Sequence, residues 1–142
     1  ECVEGTGANP RVVAKRFSTA CQPKTDSARR AVSHDGPPAG RVPLGTFKGG
    51  HGPAASPIVH GGVVYLCNDQ EGPSFLLAVD AASGQIKWKV PRSGKRACYC
   101  TPCVFNRPGP GTEIMFAHSS QGIRGVAAES GNTPCQNCVC GT

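Results

Sequence analysis

The chain has 142 residues, with 19 glycines, 13 prolines, nine cysteines and a net charge of +6. That length fits one modest domain. The glycine and proline content argues against long helices, and no run approaches the roughly 18 apolar residues of a membrane-spanning helix.

The charge excess falls in short pairs, Lys15-Arg16, Arg29-Arg30 and Lys95-Arg96. A nucleic-acid surface would cluster its basic residues and interleave aromatics for stacking. Solvated loops are the reading here. The first residue is Glu1, the one methionine is Met115, and no signal-peptide pattern opens the chain. A piece of a longer protein, or a processed chain, fits these features.

Residues 1–41 show no sustained period of 2 or 3.6. The expectation is an irregular or disordered segment with at most one short strand near Arg11–Phe17. The Gly-rich stretch from Arg41 to Ala55 then leads into ordered structure. Ile58-Val59-His60, Gly61-Gly62 and Val63-Val64-Tyr65-Leu66-Cys67 read as a hairpin, because a two-residue loop needs positive φ and glycine supplies it. The second run is apolar on successive positions, as in a strand covered on both faces. Asn68-Asp69-Gln70-Glu71 could offer oxygens to a cation, but the longer ligand spacing of a calcium loop is missing. A polar hairpin loop is expected there. Phe75–Val79 is the third strand and Gln85–Val90 the fourth. Between them, Asp80 can accept from backbone N–H groups ahead and Gly84 can take the left-handed conformation.

The pattern then recurs. Thr101–Phe105 repeats Ser56–His60 about 45 residues on, Glu113–Ala117 repeats Val63–Cys67, and Gln121–Val126 repeats the third strand. Ala127–Gly131 repeats Asp80–Gly84, and Cys135 falls where Trp88 stood. Four strands in a unit of that length mark a propeller blade.

The sequence Ala78-Val-Asp80-Ala-Ala-Ser83-Gly84-Gln-Ile-Lys-Trp88 resembles the PQQ-like β-propeller repeat, whose blades carry an A-x-D-x-x-T-G-x-x-x-W pattern. Ala78, Asp80, Gly84 and Trp88 match it, with Ser83 for threonine. Ser56-Pro57 resembles the step that opens such a blade. Residues 45–80 are also similar to members of outer-membrane-assembly and planctomycete type. The resemblance spans about residues 42–134 and divides the chain into an N-terminal segment (1–41), two blades (56–90 and 101–134) and a Cys-rich tail (135–142). It implies an all-β fold of antiparallel four-stranded blades, with Trp88 docking on a neighbouring blade. The second copy departs from the pattern at Ala127 and Cys135. A propeller closes with about four to eight blades, so two leave open edges for protein partners or further blades. It also implies a periplasmic or extracytoplasmic location.

Quinoproteins of this family bind PQQ and calcium on the propeller axis and commonly use adjacent cysteines. No two cysteines are adjacent here, and Trp88 is accounted for by docking, so no cofactor is expected. Cys100/Cys103 and Cys135/Cys138 form two C-x-x-C pairs that could present four thiolates to zinc. Disulfides, or a mixture of buried and free thiols, remain open alternatives, and Cys103 falls where the family places a small buried hydrophobe. A redox C-x-x-C would want a helix N-terminus, which the sequence does not offer. His34, His51, His60 and His118 are scattered, with His60 and His118 expected at solvent-facing loop ends. No carboxylate pair or Ser/His/Asp set stands out, and no catalytic residue is assigned. The leading expectation is a non-enzymatic protein-binding or assembly scaffold. The alternatives are a fragment of a quinoprotein oxidoreductase with its cofactor site elsewhere, and a small domain stabilised by zinc or disulfides.

Overall fold

A computed structural model describes residues 42–49, 55–106, 108 and 111–133 in full, and the backbone of 15–20, 27–33 and 38–41. Among the described residues there are ten strands and no helix: β1 (Lys15–Ala20), β2 (Ser27–Ser33), β3 (Pro38–Gly45), β4 (Ile58–His60), β5 (Val63–Asn68), β6 (Ser74–Asp80), β7 (Ile86–Arg92), β8 (Cys103–Asn106), β9 (Thr112–His118) and β10 (Gly122–Ala127). They form three antiparallel sheets in the orders β1-β2-β3, β4-β5-β6-β7 and β8-β9-β10. Among the described residues no helix is long and apolar enough to cross a membrane.

The first sheet places three strands within and just beyond the segment expected to be irregular or disordered. Its strands pair in register from Lys15↔Ser33 to Ala20↔Ala28, and from Ser27↔Gly45 to Val32↔Pro38. The pattern hid it for two reasons. Register shifts at Ser27/Ala28 and Ala31/Val32 interrupt any period of 2, since a bulge inserts an extra residue. Pro38 and Pro43 lie in β3, an edge strand of this sheet, and proline is tolerated there because no ladder N–H is required.

The second sheet follows the sequence closely. Gly61 and Gly62 have φ of 55° and 74°, so this turn twists the same way as the strands it joins. β5 is buried at every position, with alternate residues facing two cores. Val63, Tyr65 and Cys67, with Leu76 and Ala78 of β6, pack against Ile114, Phe116 and Val126 of the third sheet and Ala128 of the turn that follows it. Val64, Leu66, Phe75, Leu77 and Val79 pack on the other face with Leu44, Ala55 and Val42. A strand covered on both sides has no solvent face to make polar, which explains its unbroken apolar run.

The third sheet repeats the second in its hydrogen bonds. In the first unit the N–H groups of Asp80, Gly84 and Ala81 donate to the carbonyls of Gln85, Asp80 and Gly62. In the second, the N–H groups of Ala127, Gly131 and Ala128 donate to Asn132, Ala127 and Thr112. Gly84 and Gly131 share nearly the same φ, 74° and 73°. The turn therefore survives replacement of its aspartate by Ala127, because the backbone pattern and the left-handed glycine are enough to close it. The expected fourth strand of this unit, including Cys135, lies outside the described residues, as do the rest of the Cys-rich tail, His34 and His51.

Candidate functional site

Two features lie at the seam between the second and third sheets. The first is a docking contact. Trp88 on β7 sits across from Ala78, which is fully buried on β6. Its indole Nε1–H donates to the Ala128 carbonyl at 2.9 Å. The Tyr65 hydroxyl donates to the same oxygen at 3.3 Å, and the two rings lie 5.9 Å apart at 42°. Burial pushes the Tyr65 pKa up, and the Glu129 carboxylate beyond it adds to the rise. Gly131 completes the seat: a Cβ there would come within 2.9 Å of the indole and 2.8 Å of Val90 Cγ2. Trp88 thus docks on the Ala127–Gly131 turn of the following unit.

The remaining pattern residues shape the sheet around this contact. Asp80 Oδ1 accepts from the N–H of Ala82 (3.0 Å), the N–H of Ser83 (2.7 Å) and the Ser83 hydroxyl (2.8 Å). The Ser83 bonds hold the carboxyl below its ordinary pKa. Ser56 is exposed and Pro57 half-buried where the chain enters β4.

The second feature is a buried polar cluster at the ends of β5, β7 and β9, which the sequence did not reveal. Arg92 Nη1 donates to Asp69 Oδ2 at 2.8 Å, with side-chain exposures of 4% and 0%. The guanidinium lies 4.4 Å from the Phe116 ring centroid, a cation–π contact. Burial raises the Asp69 pKa, partly offset by Arg92 and then by His118. Asp69 Oδ1, Arg92 Nη2 and Asn68 Nδ2 are buried with no hydrogen-bond partner among the described residues. The expected polar hairpin loop does join β5 to β6, but most of its polar residues are turned inward. Asn68, Asp69 and Gln70 are all buried, and only Glu71 of the four is exposed. Gln70 straps the preceding segment: its Oε1 accepts from the Lys48 N–H at 2.7 Å, and its Nε2 donates to the Pro73 carbonyl at 2.7 Å.

His118 is corrected as well. It is 3% exposed, and its Nδ1 accepts from the Ser120 N–H at 3.2 Å. That assigns the remaining proton to Nε2, 3.3 Å from the Arg96 carbonyl. The Ser120 hydroxyl lies 3.0 Å from the same Nδ1. Ser120, His118 and Asp69 come together here, yet not as a catalytic triad. Serine and backbone share one ring nitrogen, the other is turned to a carbonyl, and Asp69 is engaged with Arg92. The ring is held as a structural wedge, with Gly94 passing so close that a Cβ there would meet Nε2 at 2.6 Å.

The crossover 93–102 stitches the two sheets around this cluster. Gln121 Nε2 donates to Ser93 Oγ at 2.8 Å. Cys98 makes an antiparallel bridge with Asp69, its thiol donates to the Ala117 carbonyl at 3.8 Å, and the Ala117 N–H donates to Cys100 Sγ at 3.1 Å. Cys67, buried on β5, has its pKa pushed up to about 12, chiefly by burial and then by Asp69. Of the four cysteines considered for zinc, Cys100 is half-buried at the seam, while Cys135 and Cys138 lie outside the described residues. Cys103 is exposed on β8, not buried as the family position implies, because its side of β8 is the face that no described element covers. Among the described residues no group of three or more His, Cys, Asp and Glu side chains is arranged to hold a metal ion.

What the geometry defines is a class of protein: an all-β chain in which consecutive antiparallel sheets stack through one indole and one left-handed glycine turn. No family model matches the chain, and no curated protein is similar to it.

Proposed function

We propose that this chain is a non-enzymatic protein-binding or assembly scaffold, formed by consecutive PQQ-like propeller blades of a longer protein. The observation that carries this reading is the docking of Trp88 on the Ala127–Gly131 turn. It is a unit-to-unit contact that a third unit could repeat. The outer face of the third sheet has the complementary character. Cys103, Phe105, Ala117 and Ile123 share that face by register and are exposed, Phe105 at 47% and Ile123 at 69%. Glu113, opposite Phe105, lies on the same face and is buried, so the exposed apolar residues flank a carboxylate; exposed apolar side chains of this kind on a β-sheet call for a partner, here another protein or a further blade.

The test is a photo-cross-linking residue placed at Phe105 or Ile123 in the protein expressed in its native host, with Ser83 on the exposed turn as the control position. The reading expects one defined polypeptide adduct, or one defined intramolecular link to a following blade, from the two face positions and not from Ser83. Adducts no more frequent at Phe105 and Ile123 than at Ser83 would remove the scaffold reading.

A further inference from the structure

The crossover does more than cover the seam. β4 pairs with β5 only as far as Ile58↔Tyr65, so among the described strands none pairs with that edge of β5 beyond Tyr65. The crossover meets this end of β5 at one isolated antiparallel bridge, Asp69↔Cys98. In an antiparallel pair a step of two residues back along one strand matches two forward on the other. Carried two residues past that isolated bridge, the same register would set Cys67 opposite Cys100, with both side chains toward the same face of the sheet. Packing agrees: Cys67 belongs to the core between the sheets, and Cys100 packs against that core.

We propose that Cys67 and Cys100 are a reversible cross-strand disulfide site that, when oxidised, locks the second sheet to the crossover holding the third. Directly opposed residues in an antiparallel pair have Cα atoms about 4.5–5.5 Å apart, within the range of about 4.4–6.8 Å that a disulfide spans. The competing pairs fit less well. Cys67 and Cys98 are diagonal neighbours, with separations of about 7–8 Å. Cys98 and Cys100 are two residues apart on one extended segment, about 6.6 Å along it, with parallel side chains.

The co-reactant is a low-molecular-weight disulfide. Cys100, half-buried and reachable, attacks as thiolate on one sulfur of that disulfide and expels one thiolate, leaving a mixed disulfide on Cys100. Cys67 then loses its proton to solvent base and attacks Cys100 Sγ. The bond from Cys100 to the small thiol breaks, the Cys67–Cys100 bond forms, and the second small thiolate leaves. The protein thiols lose two electrons and two protons, and one small disulfide becomes two small thiols. Cys67 is held largely as the thiol, its pKa being about 12. Closure is therefore the slow step, and its rate rises about tenfold per pH unit in neutral to mildly alkaline solution, since only the thiolate attacks.

The experiment treats the reduced 142-residue chain with oxidised glutathione between pH 7 and 9. Samples are quenched by acid, alkylated, and mapped by mass spectrometry without reduction. The expected result is a glutathione adduct at Cys100 that gives way to a Cys67–Cys100 linked peptide. C98S should leave this product unchanged, and C100S should abolish it. Closing a loop of this size favours the folded state by roughly two to three orders of magnitude, read as an upward shift of the urea midpoint of the oxidised protein. A wild-type map with Cys67 still free after exhaustive exchange would overturn the proposal, as would Cys67 linked to Cys98. A Cys67–Cys100 link without any gain in stability would overturn the lock. The wild-type map decides the pairing even if a serine variant fails to fold.

Discussion

The docking of Trp88 against Gly131 can be measured, because the chain contains its own control. Gly84 and Gly131 occupy the same place in their turns, with φ of 74° and 73°. A Cβ added at Gly84 meets nothing within 4 Å, whereas one added at Gly131 lies 2.8 Å from Val90 Cγ2 and 2.9 Å from the indole. Gly84→Ala therefore costs only the left-handed backbone, about 1–2 kcal/mol. Gly131→Ala costs the same backbone penalty plus overpacking, which adds about 1–3 kcal/mol.

Trp88→Ala removes a half-buried ring and the bond to Ala128. The cost is set at about 2–3 kcal/mol, below the roughly 3–5 kcal/mol of a fully buried aromatic. The Ala128 carbonyl keeps the Tyr65 hydroxyl, so no acceptor is stranded. With the indole gone, the overlap at Gly131 is relieved on one side while Val90 remains. The double variant should therefore be more stable than the sum of the singles implies, by about 1 kcal/mol. Independent sites add to within about 0.3–0.5 kcal/mol. Urea unfolding followed by far-ultraviolet circular dichroism is the assay, because Trp88 is the one tryptophan and fluorescence vanishes with it. If Gly131→Ala costs no more than Gly84→Ala, or if the effects of Trp88→Ala and Gly131→Ala simply add, the indole does not dock where described.

The buried pair of Asp69 and Arg92 gives a second prediction: Asp69→Leu, which leaves the guanidinium buried and unpaired, should cost about 3–5 kcal/mol, while Asp69→Leu with Arg92→Met should recover most of it. Equal urea midpoints for the single and double variants would show that the pairing is not what holds the seam. Asp80 gives a third, in pH. Its pKa is held below the ordinary 3.8 by the Ser83 bonds, so the unfolded chain takes up the proton first and the stabilisation is present above pH 3.8. It is lost as pH falls through the lower folded value. The stability advantage of the parent over Asp80→Asn should thus shrink in acid. An advantage that stays constant down to pH 2 would contradict the capping role.

The parts legible in the sequence are those fixed by local chemistry. Gly61-Gly62 needs positive φ, Asp80 needs backbone donors two and three residues ahead, and the run Val63–Cys67 needs cover on two faces. Each requirement is written within a few residues, so the second sheet could be drawn before the fold was seen. The first sheet was not legible because its bulges break the period and its prolines resemble loop punctuation until β3 is placed at an edge. The polar cluster was illegible for a different reason. Asn68-Asp69-Gln70 reads as solvated because burying a carboxylate without a partner is prohibitive, and the partner, Arg92, lies on another strand behind a turn. Only the register that brings the end of β7 alongside the end of β5, through β6, makes burial affordable. The same long-range geometry turns His118 inward, by leading Gly94 and the Arg96 carbonyl across its ring. It also brings Cys100, whose spacing from Cys98 says nothing alone, against the core that contains Cys67. The chemistry that distinguishes this chain from a plain repeat therefore sits where three strand ends meet, and pairing across the seam, more than any contiguous motif, creates it.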